Sequence, residues 1–178
     1  FFRMESYVTK ELYQLILKYF PADPTRIGIF GHSMGGHGAL VLALRNPNLY
    51  QSVSAFAPIA APSQCPWGHK AFKYYLGEDN ERWSQHDATA LIASGHKLPT
   101  LLIDQGLDDP FLAAQLNIDR FEVTCQLAQQ PLILRRHEGY DHGYYFISTF
   151  IEDHLANLIH YQISIYALLP IFDPIFKF

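Results

Sequence analysis

Residues 26–40 read RIGIFGHSMGGHGAL, a stretch in which one serine, Ser33, stands between glycines. An apolar run precedes the serine and a run of small residues follows it, which predicts a strand, a tight turn and a helix. Gly31, Ser33 and Gly35 match the G-x-S-x-G pattern of a nucleophile elbow, where little room is expected for Cβ atoms on either side of the serine. Ser33 is therefore the candidate nucleophile. The alternative is a serine that only caps a helix in a glycine-rich turn.

The residues next to Ser33 have expected roles as well. A helix N-terminus carries partial positive charge, and the backbone N–H after an elbow nucleophile points at the oxyanion. We therefore expect Met34 to supply an oxyanion-hole donor. His32 and His37 flank the nucleophile, and we expect both to be packed structural histidines whose side chains are directed away from the site.

Length, composition and charge favour a single soluble globular domain with a substantial core. The chain has 178 residues, of which 49% are hydrophobic and 17% are charged. The 13 Lys and Arg against 17 Asp and Glu give a net charge of -4. Since no long basic cluster appears, nucleic acid is not expected as a partner. No charge-free apolar run reaches membrane-spanning length, so no membrane association is expected either.

The cysteines point to a reducing compartment. Cys65 and Cys125 are far apart and show no spacing typical of a disulfide framework or a zinc site. We therefore expect free thiols in the cytosol, with no metal and no other cofactor.

Apolar runs alternate with helical patterns along the chain. Strands are predicted at residues 26–30, 52–57, 100–104 and 132–135, and helices at residues 3–19, 34–45, 70–76, 87–94, 112–126 and 143–159. This alternation predicts the α/β class, a parallel sheet with helices on both faces. Residues 158–178 are apolar and aromatic, and we expect them to lie outside a domain formed by residues 1–157.

A serine hydroxyl needs a base and an orienting acid, which elbow hydrolases supply in the chain order Ser, Asp, His. His142 follows the fourth predicted strand and is the candidate base, with an exposed loop histidine as the alternative. Three acids, Asp104, Asp108 and Asp109, follow the third strand at the same expected edge of the sheet. Asp104 can instead cap its turn, and position alone does not separate the other two.

The irregular stretch predicted at residues 58–68 carries one further candidate. Trp67, followed by Gly68, could line a substrate pocket. A tryptophan that only covers the core under a long loop is an equal alternative.

Six segments carry a specific family resemblance. In chain order they are YVTKEL, RIGIFGHSMGGHGAL, SVSAFAPIA, CPWGHKAFKYYLG, LLIDQG and GYDHGYYFISTFIEDH. Together they resemble the S-formylglutathione hydrolases, also called the esterase D family, over approximately residues 3–155. The resemblance implies an α/β-hydrolase fold and a cytosolic serine esterase that hydrolyses the thioester S-formylglutathione to formate and glutathione, in formaldehyde detoxification.

The resemblance also implies a site and a partner. By motif, the family's triad falls on Ser33, Asp109 and His142, and the complete protein is expected to be a homodimer. Family members also cleave simple carboxyl esters. A general carboxylesterase or acyltransferase on the same fold, or an inactive hydrolase-like fragment, are the alternatives.

Three departures from the family pattern bear on activity. Family members are longer at the N-terminus, where the second oxyanion donor resides. They have serine where this chain has Gly143, directly after the candidate base. Residues 158–178 have no family counterpart. We therefore expect a competent complete protein and a weakly active 178-residue chain.

Overall fold

The computed structural model describes residues 3–163, and the side chains of residues 3–158. Its strands are β1 (Gly28–His32), β2 (Ser52–Phe56), β3 (Leu101–Gly106) and β4 (Leu132–His137). The first helical segment, α1, comprises Met4–Ser6, a π-helical part Tyr7–Leu12, and Tyr13–Tyr19. The other helices are α2 (Met34–Arg45), α3 (Pro66–Leu76), α4 (Asn80–Ser84), α5 (Ala88–Ala93), α6 (Ile118–Leu127) and α7 (Tyr144–Ile163). Two short turns, Pro62–Gln64 and Leu112–Leu116, are 3₁₀ and π-helical respectively.

The strands pair in parallel in the order β1-β2-β3-β4. In the register, His32 lies beside Phe56 and Phe56 lies beside Asp104. The carboxyl ends of all four strands therefore meet at one edge, where the segments that follow each strand come together.

Helices cover both faces of the sheet. On one face, Leu40 and Leu44 of α2 pack with Val53 and Ile103 of the sheet and with Phe121 of α6. On the other face, α7 packs against the sheet through its own aromatic side chains. Every residue of β2 and of β3 is buried, as expected for strands covered on both sides. The predicted α/β class is confirmed.

Several predicted boundaries are wrong for local reasons. The first strand ends at His32, two residues later than predicted, so that it leads directly into Ser33. Helix α3 begins at Pro66, inside the predicted loop, because the Cys65 Sγ accepts the Gly68 N–H at 3.4 Å as an N-cap. The predicted helix at residues 112–126 is interrupted at Asn117, whose φ of 55° is left-handed.

Other helix starts follow ordinary capping. Asp87 caps α5 by accepting the Ala90 N–H at 3.0 Å. Helix α4 was not predicted, although Asp79 caps it in the same way, accepting from Glu81 and Arg82.

Cys65 and Cys125 are free and buried, which confirms the expectation of unpaired thiols. Burial raises the pKa of Cys125 to about 12, so that this thiol is unreactive near neutral pH. Within residues 3–163, no helix combines the length and the apolarity that crossing a membrane requires. The boundary expected at residue 158 stays a prediction, because α7 continues to Ile163 and residues 164–178 lie outside the described part of the chain.

Candidate active site

Ser33 stands at the junction of β1 and α2 in a conformation that non-glycine residues rarely adopt. Its φ is 54° and its ψ is -114°. Such backbone strain costs about 1–3 kcal/mol and persists only where the surroundings hold it. Here the Ser33 N–H donates to the Phe56 carbonyl at 2.9 Å, and the Ser33 carbonyl accepts from His37 N–H at 2.9 Å. The neighbouring strand and the first turn of α2 thus hold the elbow.

The glycines around the elbow are not equivalent. A Cβ on Gly31 would lie 2.3 Å from the Gly35 carbonyl oxygen, so this position admits glycine alone. A Cβ on Gly35 would meet nothing within 4 Å, whereas one on Gly36 would lie 3.0 Å from the Pro58 Cβ. The expected restriction therefore holds before the serine but is wrong at Gly35, and the restricted glycine after the serine is Gly36.

Asp109 and His142 form a close pair. The His142 Nδ1 lies 2.5 Å from the Asp109 Oδ2, and the Phe111 N–H donates to Oδ1 of the same carboxylate at 2.8 Å. The Asp109 side chain is fully buried. Because an ionised carboxylate only accepts hydrogen bonds, a neutral imidazole in this contact has its proton on Nδ1 and its lone pair on Nε2. This is the tautomer that a general base requires.

The imidazole of His142 lies against the elbow. Its ring centroid is 4.4 Å from that of His32, the residue directly before Ser33, and 4.9 Å from that of Phe111. The expectation that His32 points away from the site is therefore wrong. Burial, with the nearby His142, lowers the pKa of His32, which keeps His32 neutral at neutral pH.

The three candidate acids occupy different environments. Asp104 accepts hydrogen bonds from the Arg135 Nε at 2.6 Å and the His154 Nε2 at 3.1 Å. Burial opposes ionisation of Asp104, but these partners prevail and lower its pKa to about 2. Asp108 is exposed and uses its backbone N–H to bind the Tyr140 carbonyl at 3.0 Å. Asp109 is the candidate that contacts His142.

The loops that carry Asp109 and His142 are joined by backbone contacts. The Leu107 N–H donates to the His137 carbonyl at 2.9 Å. Gly106 permits this approach, because a Cβ there would lie 2.3 Å from the Tyr140 carbonyl oxygen. The ends of β3 and β4 therefore position the acid and the imidazole together.

A cleft of about 850 Å³ opens beside the start of α2. Its lining includes Met34, His37, Trp67 and Phe72. His37 lies in the wall of this cleft, and burial lowers its pKa to about 4, which keeps it a packed neutral histidine at neutral pH. Trp67 contributes both to the cleft and to the core beneath it, so the two interpretations of this residue are compatible.

The Gly143 N–H donates to the Asp141 Oδ1 at 2.7 Å, which closes the turn after His142. Among the side chains described, no three of His, Cys, Asp or Glu converge in a way that could hold a metal ion.

Residues 2–157 match the family model named Esterase. The chain belongs to this esterase family. A solved esterase structure, of an S-formylglutathione hydrolase from Agrobacterium tumefaciens, superposes with a TM-score of 0.87 at 49% sequence identity, covering 89% of this chain and 57% of that one. The predicted α/β-hydrolase fold is confirmed for the part of it that this chain contains.

Curated relatives carry the same name. The S-formylglutathione hydrolases of Rattus norvegicus and Mus musculus are 56% and 55% identical to this chain over 163 residues. The alignments cover 90% of this chain and 57% of each relative, so the chain spans a little over half the length of the curated relatives it matches. The resemblance to that family is thereby confirmed.

Three residues near the pair were missed as site residues. His32 and Phe111 contact the imidazole, and the Gln105 Nε2 donates to the Asp109 Oδ2 at 3.3 Å. The one usable sequence signal was Gln105, an uncharged polar residue at the end of an apolar strand, since a buried amide requires hydrogen-bond partners. The contacts of His32 and Phe111 depend on loop packing that no local pattern encodes.

Proposed function

We propose that the protein hydrolyses S-formylglutathione to formate and glutathione, with Ser33 as nucleophile, His142 as general base and Asp109 as the acid that orients it. The 2.5 Å contact between His142 and Asp109, beside the strained Ser33 elbow, is the observation that carries this proposal. The curated relatives of that name, 56% and 55% identical, support the choice of substrate.

In the first half of the reaction, the Ser33 Oγ attacks the formyl carbon while the His142 Nε2 takes the hydroxyl proton. The Met34 N–H, at the start of α2, donates to the developing oxyanion. The carbon–sulfur bond then breaks and glutathione leaves. A thiol has a pKa of about 8.5, so its thiolate leaves more readily than an alkoxide and needs little help from a proton donor. The proton on His142 passes to the thiolate or to solvent.

In the second half, a water molecule attacks the formyl ester of Ser33. His142 takes the water proton and returns it to the Ser33 Oγ as the ester bond breaks. Formate leaves and the free hydroxyl is restored. Throughout both halves, Asp109 keeps the Nδ1 proton in place and stabilises the imidazolium that forms transiently.

Binding of the remainder of the substrate is assigned to the cleft beside α2. Trp67 lines it together with Met34, whose side chain is 62% exposed. The glutathionyl portion would lie along this cleft, while a small acyl pocket would favour formyl over longer acyl groups. We further propose a cytoplasmic location, a role in formaldehyde detoxification and a homodimer of the complete protein, all on the basis of the family resemblance.

The test compares two substrates on one sample of the purified chain. We expect kcat/KM for S-formylglutathione to exceed kcat/KM for 4-nitrophenyl acetate, and both activities to disappear in Ser33→Ala. The ratio is informative even when turnover is low, because the concentration of active enzyme cancels. The matched control is Ser63→Ala, a serine outside the proposed triad that binds Asp87.

The remaining outcomes decide between the alternatives. A ratio that favours 4-nitrophenyl acetate would indicate a general carboxylesterase on the same scaffold. Transfer of the acyl group to an added alcohol in preference to water would indicate an acyltransferase. Hydrolysis that survives in Ser33→Ala would refute the proposed nucleophile.

A further inference from the structure

We infer that Gln105 is a positioning residue for Asp109; this inference rests on the proposed function. Gln105 lies near the end of β3 and is fully buried. Its Nε2 donates to the Asp109 Oδ2 at 3.3 Å and to the Gly106 carbonyl at 2.9 Å. The Gln105 side chain thus extends from the end of β3 to the carboxylate of Asp109.

Gln105 and the imidazole of His142 contact the same carboxylate oxygen of Asp109. The Asp109 Oδ2 also receives the Nδ1–H of His142, while Oδ1 receives the Phe111 N–H. Three donors on two oxygens fix the rotation of the carboxylate plane. Without the amide, Phe111 and His142 alone would hold it, and His142 is on a loop.

The chemistry of the position suits an amide in particular. A glutamate here would place a second carboxylate beside Asp109, and two close carboxylates cannot both ionise readily. A leucine would fill part of the same space but would leave Oδ2 with one donor fewer. Since the carboxylate only accepts, the Gln105 Nε2 and not its Oε1 must face Asp109.

A second buried glutamine supplies the matched control. Gln130 is 4% exposed, and its Nε2 donates to the carbonyls of Leu98, Pro99 and Pro131 at 3.1, 3.0 and 3.0 Å. These carbonyls lie at the opposite end of β3, away from Asp109 and His142. Replacing either glutamine by leucine therefore removes a buried amide, but only one replacement touches the proposed acid.

The experiment measures the rate constant for fluorophosphonate labelling of Ser33 in folded samples of the full chain, verified by circular dichroism. We expect Gln105→Leu to be labelled about tenfold more slowly than the wild type, as for loss of one hydrogen bond to a charged acceptor. We expect Gln130→Leu to be labelled within about twofold of the wild-type rate, although both variants unfold at lower urea concentration.

A conservative variant distinguishes positioning from packing. When protonated, the carboxyl group of Gln105→Glu can donate to Asp109 as the amide does. We therefore expect the labelling rate of Gln105→Glu, divided by that of Gln105→Leu, to be highest at low pH and to fall as the pH rises.

Failure of the proposed function and failure of the inference about Gln105 give different results in this experiment. No labelling of Ser33 in the wild type would remove the proposed function, and this inference with it. Labelling in the wild type that persists unchanged in Gln105→Leu would overturn the inference alone. Equal slowing in Gln105→Leu and Gln130→Leu would do the same, and so would a Gln105→Glu to Gln105→Leu ratio that does not change with pH.

Discussion

Asp109 and His142 are joined by a 2.5 Å contact between Oδ2 and Nδ1, although one residue follows β3 and the other follows β4. The contact exists because parallel strands deliver both loops to the same edge of the sheet. It also distinguishes Asp109 from Asp104, which binds Arg135, and from the exposed Asp108.

Replacing Asp109 tests that distinction. We expect Asp109→Asn to lower kcat by about 10⁴-fold, because an amide at this position favours the wrong tautomer of His142. Asp108→Asn, a neighbouring exposed acid, is the control and should retain kcat within about twofold. Equal effects of the two substitutions would show that Asp109 does not orient the base.

Two glycines of the elbow can be compared by replacing each of them with alanine. Gly31→Ala places a Cβ 2.3 Å from the Gly35 carbonyl oxygen, a backbone atom that cannot move aside. We expect a loss of several kcal/mol of unfolding free energy, or no folded protein, in urea titrations. Gly35→Ala meets nothing within 4 Å and lies in α2, where alanine favours helix by up to about 1 kcal/mol over glycine. A folded, fully stable Gly31→Ala would contradict the close packing described for this turn.

We expect the buried side chain of His37 to make the stability of the protein depend on pH. Burial lowers its pKa from 6.5 to about 4, so the unfolded chain binds a proton there at a higher pH than the folded chain does. Stability is therefore fully present above about pH 6.5 and falls as the pH drops toward 4, by about 3 kcal/mol from this residue. Urea titrations of the wild type and of His37→Gln between these pH values measure the difference. If the free energy of unfolding changes with pH identically in the two proteins, His37 is excluded as the source of the pH dependence.

Replacing Asp104 tests whether this residue has a structural role and not a catalytic one. The Asp104 carboxylate is fully buried between Arg135 and His154. Asp104→Asn therefore removes the negative charge that pairs with the Arg135 guanidinium. We expect the free energy of unfolding to fall by about 3 kcal/mol. The folded variant should still be labelled at Ser33 by a fluorophosphonate. Loss of labelling in a folded Asp104→Asn would move this residue into the active site.

Acid titration of the wild type provides a second check on Asp104. Its partners lower its pKa to about 2, below the ordinary value of 3.8. The stabilisation is therefore present above about pH 4 and is lost as the pH falls toward 2. Asp104→Asn should show a shallower loss of stability over this interval.

Much of the sheet could be predicted from sequence, because short runs of small and apolar residues alternate with helical patterns along the chain. β2 and β3 contain such runs, and the elbow that follows β1 has a glycine pattern with a direct steric cause at Gly31. The chain order of Ser33, an acid and His142 was also readable. The strands and the elbow each depend on residues that are close in sequence.

Two of the missed features are local but unusual, and the third depends on a contact between distant segments. The start of α3 depends on a cysteine sulfur that caps it, which is an uncommon cap. The break at Asn117 follows from a left-handed residue in an otherwise helical pattern. The ring contact of His32 with His142 requires the fourth-strand loop to fold back over the elbow. Residue spacing along β1 carries no information about that loop.

Covalent labelling of Ser33 by a fluorophosphonate tests the central claim most directly, because the reagent reacts with a serine only when a base has activated it. The account predicts an adduct on the Ser33 peptide of the wild-type chain, none in Ser33→Ala, and labelling slowed by about a hundredfold or more in His142→Ala. Absence of the adduct in the folded wild type, or labelling of His142→Ala at the wild-type rate, would contradict it.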